Sequence, residues 1–433
     1  MAGKMTKGRV MQLYLYEDRA DRFEPLCLTR PVFELRCGMT TLAEKIARYF
    51  GLPIAGAFVR SELEEVARLT HPGWAINGVL PNDVLLVNSR WLPPDEPFMP
   101  PGDSCVGIMN GEAAYAFIRN DKLRNHDNDD ADITASMHRW QHDMPNVSAG
   151  GRLLAYPWHL VECNADEIRR DFTWLPPQQD NSDHTQPMIS GPLGQLWVAL
   201  TACIEPMVVA DTTKGPVVID EDALVTAFTR LEGPCYIGPK SQVIGAKIRA
   251  GTSLGMQCRV GGEVETSIIH GYSNKYHEGF LGHSYIGEWV NLSAGTHNSD
   301  LRNDYGEVSV VQAGTSIRTG LTKVGCFIGD HTKTGLGTLM NTGTNIGAFC
   351  NLLPAGRLAP KYVPSFVSWW NGVLNEAFRF ESLLATARIA MFRRGVTLTD
   401  AHVALYRRLY DATAMDRKIA LRDAEQRQLR RSA

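Results

Sequence analysis

The 433-residue chain lacks any apolar run near the roughly 18–20 residues needed to cross a bilayer. Its opening stretch, "MAGKMTKGRVMQLYLYED", carries basic residues but no apolar core of secretory-signal length. The expectation is a cytoplasmic protein that makes no membrane contact. An excess of one charge is also missing. Forty-four Lys and Arg stand against 47 Asp and Glu, a formal net charge of −3, so nothing draws the whole chain to nucleic acid. The nine cysteines include no CxxC pair, which indicates buried free thiols in place of a disulfide framework or a zinc site. What these absences leave is small-molecule chemistry, in a chain too long for one hydrophobic core to organise.

The first 205 residues alternate two patterns. "VMQLYLYED" and "DVLLVNS" read as buried strands, whereas "TTLAEKIARYF" and "SELEEVARL" have helical spacing. That alternation predicts an α/β domain with a largely parallel sheet. Residues 121–150 are polar and weakly patterned, which reads as an excursion from the sheet with the makings of a lid.

From residue 206 glycine becomes frequent and aliphatic residues recur every six positions. The series are Ile237–Val243, Leu254–Val260, Phe280–Ile286–Leu292, and Ile328–Thr334–Met340–Ile346–Leu352. A six-residue period is that of a parallel β-helix, in which three hexads close one triangular coil. "YIGPKS", "YIGEWV", "FIGDHT" and "NIGAFC" each supply an inward aliphatic and a small residue for the corner. The rhythm breaks near 263–279 and 296–316, and both breaks are expected to project as loops. After Pro364, "WWNGVLNEAFRFESLLATARIAMFRR" and the cation-rich stretch 401–433 read as helices. The expected domains are therefore 1–205, 206–365 and 366–433.

The most specific stretch is "SNKYHEGFLGHSYIGEWVNLSAGTHNSDLRNDYG". It resembles the acyltransferase domain of the bifunctional enzymes that acetylate glucosamine 1-phosphate and couple it to UTP, the GlmU family, where a histidine precedes "NIGAGT" and an "NYDG" loop follows. The resemblance implies a left-handed β-helix, a homotrimer whose neighbouring coils flank the acyl donor, and acetyl-CoA as that donor. It places His277 on the catalytic histidine and Asn291 on the asparagine of "NIGAGT". Lys275, Glu263, Asn303 and Tyr305 fall at the acyl-CoA or acceptor positions. An imidazole changes protonation near neutrality and can take a proton from an amine or hydroxyl as it attacks a thioester. The alternative reading of His277 is a surface histidine on a divergent loop. Two departures stand out: Phe280 replaces a family tyrosine, and Glu265 replaces a lysine that grips the sugar phosphate; Lys247 or Arg249 could stand in for a family arginine on the preceding coil.

The N-terminal domain lacks the family's glycine-rich triphosphate loop. In its place "YLYEDRADRFEPLCLTRPVFELRCGMTTLAEKI" resembles a divergent branch of sugar nucleotidyltransferases marked by "LTRPxxxLRxG". By that resemblance Arg30, Arg36 and Lys45 bind phosphate, although Glu34 and Glu44 are alternative partners for the arginines. Asn88 stands where an aspartate would hold the Mg²⁺ that accompanies a nucleoside triphosphate. "YPWHLVECNADEIRRDF" matches the same branch, with Trp158 and Asn164 as lining residues or as a packed tryptophan and a helix cap.

Together these readings predict a transferase acting on a sugar phosphate or nucleotide sugar. A non-catalytic trimeric nucleotide-sugar-binding protein is the second reading. A third is a metal site of the γ-carbonic anhydrase kind, drawn from His270, His277, His283 and His297.

Overall fold

The computed structural model describes residues 11–119, 133–178, 185–376 and 378–432, with side chains described to residue 426. The leader reading of the first ten residues, and positions 121–132 of the polar excursion, lie outside the described residues. The rest of that excursion holds a helix, Ile133–Asp143. The chain divides into two compact units. One comprises Met1–Ala20, Arg30–Leu35 and Thr41–Ala155, and the other Asp21–Thr29, Arg36–Thr40 and Tyr156–Ala433.

The first unit is built on a seven-stranded sheet. Its order is Asn146–Ser148, Cys105–Met109, Glu112–Ile118, Val84–Asn88, Gln12–Tyr16, Ile54–Phe58, Ala75–Ile76. Gln12–Tyr16 pairs in parallel with the strands on both its sides. The sheet is largely parallel, as the sequence patterning predicts, except that Glu112–Ile118 is antiparallel to both its neighbours. The cause is local. Asn110 and Gly111 both adopt positive φ (51° and 81°), forming the two-residue hairpin turn that an Asn-Gly pair favours. The helix Leu42–Phe50 follows its pattern closely. Thr41 and Glu44 close a capping box at its start, and Gly51 ends it at φ 65°.

The second unit is dominated by three ladders of parallel strands that form the sides of a prism. The first begins at Met188–Ser190 and runs through Val209–Asp211 and Arg230–Glu232 to Phe280–Gly282. The second begins at Leu196–Val198 and continues to Tyr362–Val363. The third begins at Cys203–Ile204 and ends at Val367–Trp370. The opening rungs thus precede residue 206. Ile237, Val243, Leu254, Val260, Ile286, Leu292, Ile328, Met340, Ile346 and Leu352 all point into one core. Each such side chain contributes roughly 1.5–3 kcal/mol when fully buried.

The six-residue reading fails at one position. Leu281, 1% exposed, stacks on Val264, while Phe280 pairs beside Glu263 and stays half-buried. The inward series there is Ile269, Lys275, Leu281, then a five-residue step to Ile286. Residues 263–279 consequently remain in the coil: Arg259 pairs with Asn274, and Ile268 with Tyr285. The rhythm looks broken because a lysine occupies an inward slot. The second break is a true excursion, carrying the hairpin Ser309–Gln312 with Thr315–Arg318.

The C-terminal part also departs from its pattern. Val367–Trp370 and Val373–Glu376 form an antiparallel hairpin across Asn371 and Gly372, another positive-φ Asn-Gly turn, and only then do the helices Phe380–Phe392, Asp400–Ala412 and Ala414–Ser432 follow. These helices cover one prism corner. Tyr272, Trp289, His331, Phe349 and Phe366 all sit there in left-handed conformation (φ 52–63°) and stack ring on ring. Left-handed backbone costs a non-glycine residue about 1–2 kcal/mol, and each aromatic pair returns about 0.5–1.5 kcal/mol beyond burial. Tyr406 closes the column: its ring lies 4.8 Å from that of Phe349, and its hydroxyl 3.1 Å from His331 Nε2. Among the described residues no helix is long and apolar enough to cross a membrane.

Candidate functional site

In the first unit, sequential strands feed opposite sides of Gln12–Tyr16. The crevice at the carboxyl ends of Gln12–Tyr16 and Val84–Asn88 is therefore a topological switch point, where open α/β sheets bind ligands. Asp18, Asn88 and Arg90 lie just there. Arg90 is 1% exposed; its Nη2 donates to Asp18 Oδ2 at 2.6 Å and also contacts Glu112. Arg19 pairs with Glu112 at 2.9 Å. Burial alone would raise the pKa of Glu112, but hydrogen bonding and charge from Arg90, with Arg19, hold it below the usual carboxylate range.

Asn88 is spent within this network. Its Nδ2 donates to Asp18 Oδ2 (3.2 Å) and to the Ala113 carbonyl (3.1 Å), and its Oδ1 accepts from the Arg90 amide (3.2 Å). A hard divalent cation needs free oxygen donors. An amide aimed nitrogen-first at an aspartate already held by a guanidinium does not fit one. Glu17, next along, accepts from the amides of Val32 and Arg60 and pairs with the Arg60 guanidinium. Arg30 and Lys45 belong to this unit and are buried. Arg36 belongs to the other unit, where its backbone N–H donates to the Tyr285 hydroxyl and its guanidinium lies 5.8 Å from the Tyr236 ring centroid. Asp18, Arg90 and Glu112 were missed in the sequence, although "YED" directly after a strand marks a strand's carboxyl end.

In the second unit His277 sits on an exposed turn of the coil. Its ring meets that of Tyr276 edge-on at 5.3 Å, and its imidazole makes no hydrogen bond among the described residues. Directly beneath is Lys275, 2% exposed. It continues the inward column Ile204, Val225, Val243, Val260. Its ammonium donates to the Gly261 carbonyl at 2.9 Å and to the His277 carbonyl at 3.2 Å. Gly262 makes room: at φ 70°, a Cβ there would lie 2.8 Å from Lys275 Nζ. Burial pushes the Lys275 pKa down from 10.5 to about 8, with Glu278 and Glu263 opposing.

That shift has a testable sign. Between pH 8 and 10.5 the unfolded chain holds more protons at Lys275 than the folded one, so stability should rise with pH through this window by up to about 1.4 kcal/mol per unit, and stay flat below it. Lys275→Met removes the group. In denaturant titrations the variant's advantage over wild type should be largest near pH 7.5 and shrink towards pH 10. Parallel stability curves would contradict a buried ammonium.

The remaining expected residues are distributed as follows. Asn291 stacks in register between Asn274 and Lys333, accepting from Asn274 Nδ2 at 3.3 Å. Glu263 accepts from Arg249 at 2.9 Å, and Arg249 also lies 3.9 Å from Glu265, so the reversed charge at Glu265 has a cation beside it. Arg249 is correspondingly occupied. Asn303 and Tyr305 are exposed, on a turn pinned by Arg302 and Asp304. Asn164 is fully buried; it accepts from the Gly38 amide and donates to the Gly251 carbonyl, which is the work of a staple. Trp158 lines a cavity of about 290 Å³ with Glu162, Lys323 and His283. His283 Nδ1 lies 2.7 Å from Asp300 Oδ2. His270 meets the Tyr285 hydroxyl, and His297 Nδ1 accepts from the Phe280 amide. Among the described residues the four histidines form no shared cluster with other ligating groups.

Residues 13–179 match the family model described as sugar nucleotidyl transferase. A bifunctional sugar-1-phosphate nucleotidylyltransferase/acetyltransferase of Sulfurisphaera tokodaii is 39% identical over 149 residues. The aligned part covers 33% of this chain and 36% of the relative, so about a third of each protein is compared. Both findings bear out the resemblance to GlmU-like enzymes read from the motifs.

Proposed function

We propose that this protein is a two-activity transferase on sugar phosphates or nucleotide sugars, cytoplasmic and assembled as a homotrimer through its coil. The coil moves an acetyl group from acetyl-CoA to an amine or hydroxyl of the acceptor. His277 takes the proton as the nucleophile attacks the thioester carbonyl. The C–S bond then breaks, CoA leaves as thiolate, and the imidazolium returns the proton to it. Lys275 is the positioning residue, because its ammonium ties the His277 carbonyl to the coil interior. Asn291 orients the acceptor, and Glu263, Asn303 and Tyr305 flank the donor or acceptor.

The N-terminal unit binds the nucleotide or sugar 1-phosphate, with Arg30 and Lys45 as phosphate ligands; Arg36 is assigned a packing role. The observation that carries the reading is the exposed imidazole, with no hydrogen bond among the described residues, on a coil turn whose backbone is anchored by a buried ammonium. One further observation favours a binding role over turnover in the N-terminal unit: Asn88 and Asp18 are committed to Arg90 and to each other.

Isotope exchange between pyrophosphate and a nucleoside triphosphate, in the presence of sugar 1-phosphates, separates the two roles of the N-terminal unit. Exchange with one sugar 1-phosphate supports nucleotidyl transfer. Nucleotide-sugar binding without exchange assigns the unit to binding, and neither result would remove it from the proposal.

A further inference from the structure

Behind the aromatic corner lies a second cavity of about 380 Å³, with its own chemistry. Arg259 and Lys333 reach it from the coil, and Arg393 and Arg394 from the end of the helix Phe380–Phe392. Asn274 and Asn291 supply amides, and Tyr272 and Trp289 form an apolar wall. Among the described residues no carboxylate lines it. Trp289 lies between the rings of Tyr272 and His331, so both its faces are already stacked.

Four cations gathered with no counter-charge are unfavourable unless something compensates them. Arg394 donates to Asn274 Oδ1 at 2.6 Å, which gives it a neutral acceptor only. Arg259 Nε is buried and has no hydrogen-bond partner among the described residues. The Lys333 ammonium donates to the His331 carbonyl. Burial, then Arg259 and Arg393, lower the Arg394 pKa, so these guanidiniums repel one another. The C-terminal dipole of the helix accounts for cations at positions 393 and 394. It does not account for Arg259 or Lys333, which the coil brings to the same cavity.

We infer that this cavity is a binding site for the phosphate group or groups of a small organic phosphate, with Arg259, Arg393 and Arg394 as forked donors and Lys333 as a point charge. Planar guanidiniums match phosphate oxygens two at a time, and an apolar wall on one side strengthens each contact. The site is distinct from the exposed His277 turn, although Asn291 borders it. Its occupant is either the acceptor's phosphate or a phosphate of the acyl donor, and the two share the same recognition chemistry.

The test is calorimetric titration of the full-length protein with inorganic pyrophosphate, comparing wild type with Arg259→Gln/Arg393→Gln. The N-terminal unit is itself expected to bind pyrophosphate, so the decisive readout is the difference: one site per chain should disappear from the isotherm, or weaken at least tenfold, in the variant. Thermal unfolding without pyrophosphate should show the variant no less stable than wild type, because mutual repulsion is relieved. Should the double variant misfold, Arg393→Gln alone keeps the comparison, since Arg393 is exposed. Displacement by an amino-sugar 1-phosphate assigns the site to the acceptor, and displacement by adenosine 3′,5′-bisphosphate assigns it to the donor; either supports a phosphate site. Superimposable isotherms for wild type and variant would overturn the inference. So would a variant less stable than wild type with unchanged binding, which would make the cations structural.

Discussion

Replacing His277 with alanine is expected to lower acyl transfer by about 10²–10⁴-fold, the usual contribution of a positioned general base. Fold and assembly should be untouched. The side chain is exposed and makes no hydrogen bond among the described residues, so its removal leaves no buried group unpaired and stability should shift by no more than about 0.5 kcal/mol. The pattern across variants carries more information than the single loss. Lys275→Met leaves the imidazole in place but frees the carbonyl that holds it, so it should lower kcat by a smaller factor than His277→Ala. Turnover is followed by release of CoA thiol. A His277→Ala enzyme as active as wild type would remove the residue from the mechanism.

The second large effect is on stability. Arg90→Ala should cost about 3–5 kcal/mol, because a guanidinium that is 1% exposed is removed from between two carboxylates, leaving Asp18 and Glu112 without their shared cation. Asn88 loses its fixed surroundings as well. Denaturant unfolding monitored on the N-terminal unit gives the value, and a change under 1 kcal/mol would show that the network is not held together by Arg90. The pH dependence has a definite sign. The Glu112 carboxyl lies below its ordinary value in the folded protein, so its contribution is present above that value and fades as pH falls through the folded one. Acid should narrow the gap between wild type and Arg90→Ala.

Much of the architecture could be read in the sequence because it is periodic. Five inward positions from Ile328 to Leu352 keep a six-residue step and all are buried, since each coil repeats one physical task. The failures are equally physical. Around 263–279 the inward slot holds Lys275, and hydropathy cannot anticipate a buried ammonium satisfied by two carbonyls. Twice an Asn-Gly pair set a hairpin, at Asn110–Gly111 and at Asn371–Gly372, the second inside a stretch whose pattern reads as helical. Both were legible as turn chemistry. The covering of the aromatic corner was not, because Tyr272, Trp289, His331, Phe349 and Phe366 are spaced by coil lengths that become regular only once the hairpin excursion is removed.

The sites divide in the same way. His277 and Asn291 are proposed from the motif alone, whereas the switch-point network depends on strand order and the cationic cavity on a C-terminal helix returning to the coil. Asn88 was visible as a departure from a metal-binding aspartate. That its amide nitrogen faces Asp18 was not, because Arg90 decides it from two residues away.

The central claim, that the coil is an acyltransferase, is tested most directly by following CoA thiol release from acetyl-CoA with wild-type protein across a panel of amino-sugar phosphates and nucleotide amino sugars. The account predicts release with one acceptor class, coupled one-to-one to acylated product. No release with any acceptor, from protein shown to be folded, would contradict it.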